Sequence, residues 1–212
     1  DGADLTMTRG ECVGLVGPNG IGKTTLFRVI LGLLLPESGT VEVLGLSLTN
    51  SQQVTTIRRR IGYVPQHSSS GRLPISVYDS VLIGRWGSSF KGWRRPQRED
   101  RQAVERVLDT VELTPYRDFD WRELSGGLQQ RTALARAMVR EPDLILMDEP
   151  TTFLDPESQQ AILALVSRLN REKGISLLII SHDHRLLAAH CSRMITITDR
   201  AIEDYDAEHM SS

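Results

Sequence analysis

A glycine-rich segment at residues 17–25 has the residue types and the spacing that hold the phosphates of a nucleotide. It matches the pattern G-x-x-x-x-G-K-[ST], in which successive backbone N–H groups are presented to a di- or triphosphate. Lys23 adds a positive charge to these donors, and the hydroxyl of Thr24 can reach a magnesium ion. The residues predicted to bind the nucleotide here are Gly17, Pro18, Asn19, Gly20, Ile21, Gly22, Lys23, Thr24 and Thr25.

Two acidic residues, Asp148 and Glu149, follow the apolar run at residues 143–147. Such a run is typical of a parallel strand buried on both faces, and the acids then lie at its carboxyl end beside the phosphate loop. One carboxylate there can hold magnesium through water, and the next can polarise an attacking water, as phosphoryl transfer requires. An ordinary solvated strand end is the alternative, and Lys23 and Thr24 upstream weigh against it.

A second glycine-rich segment begins with Ser125, Gly126 and Gly127 and precedes a predicted helix at residues 128–140. Ser125 can cap this helix, and the glycines let a ligand approach its first N–H groups. A flexible turn before a helix is the alternative interpretation. Two such helix N-termini are difficult to aim at one nucleotide, so we expect the second to serve a nucleotide held by a partner subunit.

The elements that must position these residues alternate between strand and helix at both ends of the chain. Strands are predicted at residues 12–16, 39–44, 61–65, 143–147, 176–180 and 194–197, and helices at residues 25–31, 156–172 and 183–190. The middle of the chain is predicted to be helical at residues 77–83 and 100–111, with a loop at 84–96, and the tail from residue 203 to be frayed. This pattern predicts an α/β fold with a mostly parallel sheet, in which residues 1–70 and 141–212 form the core and 71–140 a helical insert.

Composition excludes several classes of protein. A net charge of −2 gives no electrostatic reason to expect nucleic acid as a partner. The longest apolar stretches fall far short of the roughly 20 residues that cross a bilayer, and no secretory signal is expected at the start. Cys12 and Cys191 stand apart in the sequence, and we expect reduced thiols.

The order and spacing of the motifs resemble an ATP-binding cassette (ABC) ATPase subunit over residues 5–200. The matching parts are residues 17–25, Gln66, and residues 124–131, 144–150, 153–155 and 181–183. The resemblance implies a P-loop NTPase core, ATP hydrolysis with Mg²⁺ as cofactor, and a head-to-tail dimer that holds two ATP molecules between its subunits. It also implies that the first strands of the usual fold, with the aromatic residue that stacks on adenine, are missing or lie outside this chain.

The resemblance assigns roles to individual residues. Glu149 resembles the catalytic base, and His182 the switch histidine that contacts the γ-phosphate. Gln66 resembles the glutamine that reaches magnesium and the water, so that Thr24, Gln66 and Asp148 form the implied magnesium site. Asp155 resembles the aspartate that faces the partner subunit. The residues implied to clamp the partner's ATP are Ser125, Gly126 and Gly127.

Two details depart from these simple assignments. Leu128 occupies a signature position where the family usually has glutamine, so we expect a modest weakening of the contact with the partner's nucleotide. His182, His184 and His190 could be taken for a metal site, but alternate residues between a strand and a helix point to different sides. We therefore interpret them as separate residues, and His67 as an ordinary loop histidine.

The resemblance further implies a transmembrane permease as partner and a peripheral position on the cytoplasmic face of the membrane. Residues 73–85 and 94–101 resemble importers of zinc, manganese and iron, whereas residues 149–155 resemble the iron-chelate and cobalamin branch. Both indicate uptake of a metal ion or metal chelate, for which a substrate-binding protein is a further possible partner. A soluble ABC ATPase of translation or DNA repair is the alternative. The basic residues of 85–101 face either the permease or solvent, and Trp86, Phe90 and Trp93 are either docking surface or core.

Overall fold

The computed structural model describes residues 3–66, 74–86, 95–198 and 201–205. The strands are β1 Cys12–Val16, β2 Glu42–Val43, β3 Leu46–Ser47, β4 Ile61–Val64, β5 Leu144–Asp148, β6 Ser176–Ile180, β7 Arg193–Ile197 and β8 Ile202–Asp204. The helices are α1 Lys23–Ile30, α2 Ser51–Arg60, α3 Val77–Trp86, α4 Arg98–Thr110, α5 Gly126–Met138, α6 Pro156–Lys173 and α7 His184–Ala188. Two 3₁₀ turns, Thr114–Tyr116 and Trp121–Glu123, connect α4 to α5.

A six-stranded sheet in the order β4-β5-β6-β1-β7-β8 forms the centre of the molecule. Every pairing from β4 to β7 is parallel, and β8 pairs with β7 in the antiparallel direction. All residues of β1, β5 and β6 are buried, as expected of parallel strands covered by helices on both faces. The predicted α/β fold is confirmed. Because β5, β6 and β1 are neighbours, the residues that follow them meet at one edge of the sheet.

Each face of the sheet is covered by its own set of buried residues. On one face, Phe27 of α1 and Ile57 of α2 pack against Leu15 and Leu178 of the strands. On the other face, the buried residues of α3, α4 and α5 form one continuous cluster with those of α6 and of the strands. The helical middle of the chain is therefore packed against the sheet by shared burial of apolar side chains.

Some sequence-based predictions of the fold were wrong. Residues 39–44 do not form a core strand, since only Glu42–Val43 is extended, and it pairs with Leu46–Ser47 in a separate two-stranded sheet. Helix α2 was not predicted, because Ile57 is its only buried residue and the helix therefore has no apolar periodicity. Its N-cap was a usable signal, because the Asn50 side chain accepts hydrogen bonds from the backbone N–H groups of Gln52 and Gln53.

The ends of three other predicted segments also differ. Helix α3 continues through Trp86, into the predicted loop, and residues 87–94 of that loop lie outside the described residues, as do His67, Phe90 and Trp93. The tail predicted to be frayed begins inside β8, where Glu203 pairs with Thr196. Cys12 and Cys191 are distant in the sequence but close in space, because their sulfur atoms lie 3.6 Å from each other. Within the described parts of the chain, no helix is both long and apolar enough to cross a membrane.

Candidate active site

The phosphate loop leaves β1 at its carboxyl end and leads directly into α1. Gly20 and Gly22 have φ angles of 82° and 111°, in the left-handed region that favours glycine. A Cβ atom on either residue would meet nothing within 4 Å, so backbone conformation, and not lack of space, requires glycine at both positions. This conformation leaves the N-terminus of α1 accessible, and the backbone N–H groups there favour the binding of an anion.

Lys23 folds back over the loop that precedes it. Its Nζ atom donates hydrogen bonds to the carbonyl oxygens of Gly17 and Pro18, at 2.7 and 2.9 Å. The residue is 7% exposed, so the ammonium group lies within the loop and does not extend into solvent. An ammonium group has three donors and the loop accepts two of them, so a third remains for a phosphate oxygen.

Asp148, at the end of β5, lies beside the first residues of α1. Its Oδ2 atom accepts a hydrogen bond from the Thr24 hydroxyl at 3.1 Å and a longer one from the Tyr63 hydroxyl at 3.4 Å. The carboxyl group is buried, which raises its pKa, although the hydrogen bond from Thr24 opposes that change. A carboxylate and a hydroxyl placed together are oxygen ligands of the kind that magnesium prefers, so the residues present fit this ion.

Gln66 is exposed and lies just beyond β4. Since Val64 of β4 pairs with Met147 of β5, Gln66 leaves the sheet at the edge where Asp148 and Glu149 follow Met147. The structure thus places Gln66 at the same edge as the two acids.

Glu149 is held in a defined orientation by groups on two sides. Its φ of 49° is unusual for a residue other than glycine, and its backbone N–H donates to the carbonyl oxygen of Ile180 at 3.0 Å. The Oε2 atom accepts a hydrogen bond from the Thr152 hydroxyl at 3.0 Å and lies 2.8 Å from Nδ1 of His182. Because a carboxylate only accepts hydrogen bonds, Nδ1 carries the proton of this pair. Glu149 and His182 were predicted as separate site residues, and the structure brings them into contact.

The imidazole of His182 is 66% exposed, while the Glu149 side chain beside it is 11% exposed. One face of the pair therefore opens to solvent at the sheet edge, where a substrate can approach. His184 and His190, which were considered together with His182 in the sequence, lie elsewhere. His184 lies near the ring of Tyr205, and His190 contacts Ser167 and Gln160.

The second glycine-rich segment begins α5 and contacts another part of the same chain. Ser125 is the N-cap, and its hydroxyl accepts a hydrogen bond from the N–H of Leu128 at 3.4 Å. A Cβ atom at Gly126 would lie 3.1 Å from Cδ2 of Leu154, and one at Gly127 would lie 2.9 Å from the hydroxyl oxygen of Ser158. Close packing against the start of α6 is therefore a second reason for these glycines, besides access for a ligand.

Asp155 caps the helix on the other side of this contact. Its side chain accepts a hydrogen bond from the backbone N–H of Ser158 at 2.9 Å, and hydrogen bonding by Ser158 lowers the pKa of the Asp155 carboxyl group. The two capped helix N-termini, of α5 and α6, thus lie against each other. The side chain of Leu128 is partly buried against the core.

Two residues that touch the acids were not predicted from the sequence. Thr152 is close to Glu149 in the chain, and a hydroxyl three residues after a turn-forming acid was a local signal that could have identified it. Tyr63 reaches Asp148 only because β4 and β5 are neighbours, and no local pattern indicates that pairing.

These features define an ATPase of the P-loop class, with a phosphate loop between strand and helix and two acids at the neighbouring strand end. A family model described as "ABC transporter" matches residues 1–152. The chain belongs to the ABC transporter family, as an ATP-binding subunit that hydrolyses ATP. This membership confirms the sequence-based identification and does not favour the soluble alternative.

Known proteins resemble the chain over nearly its whole length. It is 37% identical over 203 residues to "Zinc transport system ATP-binding protein TroB" of Treponema pallidum, covering 95% of this chain and 73% of that protein. Among solved structures, cbiO1 from Clostridium perfringens, part of the ABC transporter complex cbiONQ, has a TM-score of 0.84 at 29% identity, covering 93% of this chain and 77% of that one. The dimeric post-hydrolysis structure of the cassette MJ0796, bound to ADP and Pi, has a TM-score of 0.78 at 29% identity, covering 96% and 88%.

Proposed function

We propose that this chain powers the uptake of a metal ion or metal chelate by hydrolysing ATP on the cytoplasmic face of the membrane. The observation that carries the catalytic part is the contact between Glu149 and His182 at the open sheet edge, next to Asp148 and the phosphate loop. The proposal of a metal substrate is supported by the zinc transport relative and by the resemblance of residues 73–85 to metal importers.

The phosphates of ATP bind to the N–H groups of residues 17–25 and to the ammonium group of Lys23. Thr24, Asp148 and Gln66 are the residues that hold Mg²⁺, which when bound neutralises negative charge on the β- and γ-phosphates. The support for this site is the direct hydrogen bond between Thr24 and the buried carboxyl group of Asp148.

Glu149 accepts a proton from the water that attacks the γ-phosphorus. Its Oε2 atom is occupied by Thr152 and His182, so Oε1 is the atom that faces the water and takes the proton. His182, largely exposed beside Glu149, contacts the γ-phosphate with its other ring nitrogen. His182 thus contacts both the base, Glu149, and the γ-phosphate, so the two residues link the base to the bound terminal phosphate.

The second glycine-rich segment acts on the nucleotide of a partner subunit. Gly126 and Gly127 pack against Leu154 and Ser158 of the same chain, so the start of α5 is joined to the segment that contains Asp155. In the proposed head-to-tail dimer, this joined surface meets the phosphate loop of the partner. The dimeric structure of the similar cassette MJ0796 supports this arrangement.

A groove between the sheet and the helical middle of the chain is the proposed contact with the permease. The groove encloses about 350 Å³, and its walls come from the region after α1 and from α3 and α5. The residues that line it include Leu31, Leu33, Arg58, Tyr63, Gly84, Arg136 and Arg140. Leu33, in the lining, is 58% exposed, and Leu35, two residues further along the chain, is 69% exposed. Large exposed apolar side chains around a groove are typical of a protein contact. We also propose residues 71–140 as a helical subdomain and a substrate-binding protein as an outer component of the transporter.

The proposal is tested by reconstituting the protein with its permease in lipid vesicles and measuring phosphate release with Zn²⁺, Mn²⁺ or a ferric chelate supplied at the outer face. One of these is expected to raise turnover several-fold, with accumulation of that metal inside. Glu149→Gln should lower turnover at least 100-fold because the general base is lost, whereas Glu172→Gln, at an exposed position on α6, should leave it unchanged. Equal turnover in Glu149→Gln would contradict the role of Glu149, and stimulation by none of the metals would contradict the substrate class.

A further inference from the structure

The two cysteines of this chain lie side by side although they are 179 positions apart in the sequence. The distance between the Sγ atoms of Cys12 and Cys191 is 3.6 Å, and both are free thiols. Cys12 is the first residue of β1, and Cys191 lies between α7 and β7. The proposed ATPase mechanism uses neither residue.

The backbone around the two sulfur atoms is held by several hydrogen bonds. The N–H and the hydroxyl of Ser192 both donate to the carbonyl oxygen of Cys12 at 2.9 Å, and the N–H of Cys12 donates to the Ser192 hydroxyl at 3.3 Å. The N–H of Cys191 donates to the carbonyl oxygen of Leu187 at 2.8 Å. The closeness of the sulfur atoms is therefore a consequence of the pairing of β1 with β7 and of the turn after α7.

The surroundings of the two thiols differ in a way that suits stepwise oxidation. Cys12 is 3% exposed, whereas Cys191 is partly exposed and gives a small molecule access to the pair. The hydrogen bond between the Cys12 and Cys191 side chains lowers the pKa of Cys12, which favours a thiolate at that sulfur. A thiolate next to a second thiol is the arrangement found in reversible redox sites.

We propose that Cys12 and Cys191 form a thiol-oxidation site at which a hydroperoxide converts the pair to an intramolecular disulfide. The Cys12 thiolate, whose proton has passed to solvent, attacks one oxygen of hydrogen peroxide, the O–O bond breaks, and the leaving hydroxide takes up a proton from solvent to form water. The Cys191 sulfur then attacks the resulting sulfenic sulfur, the S–O bond breaks, and the hydroxide that leaves takes the proton from Cys191. Two thiols are oxidised, and one peroxide is reduced to two waters.

Forming this bond requires only a small movement. A disulfide has an S–S distance of roughly 2.05 Å, so the sulfur atoms must approach by about 1.5 Å, within the range of side-chain rotation. The product joins the strand that ends at the phosphate loop to the turn after α7, the helix that follows His182. A cross-link between residues so distant in sequence restricts the unfolded chain and stabilises the folded one.

The test is oxidation of the purified folded protein by hydrogen peroxide. Because the chain contains two cysteines in all, thiol counting gives an unambiguous result. The expected outcome is loss of both thiols, a mass decrease of about 2 Da, a linked Cys12–Cys191 peptide in a non-reducing digest, and full reversal by dithiothreitol. Intermolecular disulfides, a mass increase of about 32 Da from sulfinic acid, or thiols that stay unreacted would overturn the proposal.

The matched variant is Cys191→Ser, with Cys191→Ala as a second variant in case one fails to fold. Neither should lose about 2 Da or form an internal cross-link, and Cys12 should react roughly tenfold more slowly without its neighbouring thiol. Oxidation should raise the Tm of the wild-type protein by about 5 °C and leave that of the variants unchanged. Equal loss of the Cys12 thiol in wild type and variants, or an unchanged wild-type Tm after cross-linking, would contradict the proposed pair.

Discussion

The neighbours of Glu149 hold its carboxyl group in one orientation. A free glutamate side chain on a strand end samples many rotamers, but Oε2 of Glu149 has two partners, Thr152 and His182. Thr152 also donates its backbone N–H to the carbonyl oxygen of Glu149, at 3.3 Å, so a tight turn holds the hydroxyl in place. We therefore infer that Thr152 positions the proposed base without touching ATP.

This inference predicts the effect of Thr152→Val, which keeps the shape of the side chain and removes the hydroxyl. The loss of one hydrogen bond to a carboxylate is expected to lower kcat about fivefold to tenfold, while the KM for ATP stays unchanged. Thr152→Ser is the matched control and should retain most of the activity, because it keeps the hydroxyl. Steady-state phosphate release measures both constants. A rise in KM with unchanged kcat would show that Thr152 acts in binding and not on Glu149.

At the scale of elements, α5 and α6 meet at their N-termini, each capped by its own side chain. The contact is close because Gly126 and Gly127 have no side chains where Leu154 and Ser158 approach. Ser125 and Asp155 satisfy N–H groups at these two helix starts, so both ends keep their shape without a ligand. Movement of one helix start is therefore expected to move the other.

The contact predicts that Gly127→Ala destabilises the protein by steric overlap. The new Cβ atom would lie 2.9 Å from the Ser158 hydroxyl oxygen, so we expect a loss of about 1–3 kcal/mol in the free energy of unfolding. Adding Ser158→Ala removes that oxygen and should recover most of the loss, whereas Ser158→Ala alone should change little. Urea denaturation measures all four proteins. Equal stability of Gly127→Ala and the double variant would show that the cost lies elsewhere.

At the scale of the whole molecule, one chain contains two ATP-contacting surfaces that serve different ATP molecules in the proposed dimer. A Cβ atom built at Gly126 would lie nearest to Leu154, and one built at Gly127 would lie nearest to Ser158, when the chain neighbours are left out. Among the described residues, none of these nearest atoms belongs to the phosphate loop. We therefore propose that the phosphate loop and the start of α5 act together across two subunits related by symmetry.

This arrangement predicts that two inactive variants restore activity when they are mixed. Lys23→Ala removes the phosphate contact but leaves the start of α5 intact, and Ser125→Arg blocks the start of α5 but leaves the phosphate loop intact. A mixed dimer has one site with both parts intact, so an equal mixture should regain roughly a quarter of wild-type turnover. Phosphate release from each variant alone and from the mixture measures this. No recovery, with mixed dimers shown to be present, would contradict a shared site.

Much of the fold and site could be predicted because the signals are local. The phosphate loop requires glycine at positive φ and a helix directly after it, and both requirements are visible in consecutive residues such as Gly20, Gly22 and Lys23. Strands buried on both faces appear as continuous apolar runs, as β5 does. Helix α2 could not be found in the same way, since it is held by one buried residue and by contacts that Arg58 makes with the carbonyl oxygens of Leu31 and Gly32.

The sequence by itself determined the class of fold, the phosphate loop, the two acids and the cap of α5, because each depends on neighbouring residues. Only the tertiary structure decided which of these groups meet. Glu149 reaches His182, Asp148 reaches Thr24, and Cys12 reaches Cys191 through the order of the strands in the sheet. That order results from the packing of whole elements over long sequence separations, and local patterns of residues do not specify it.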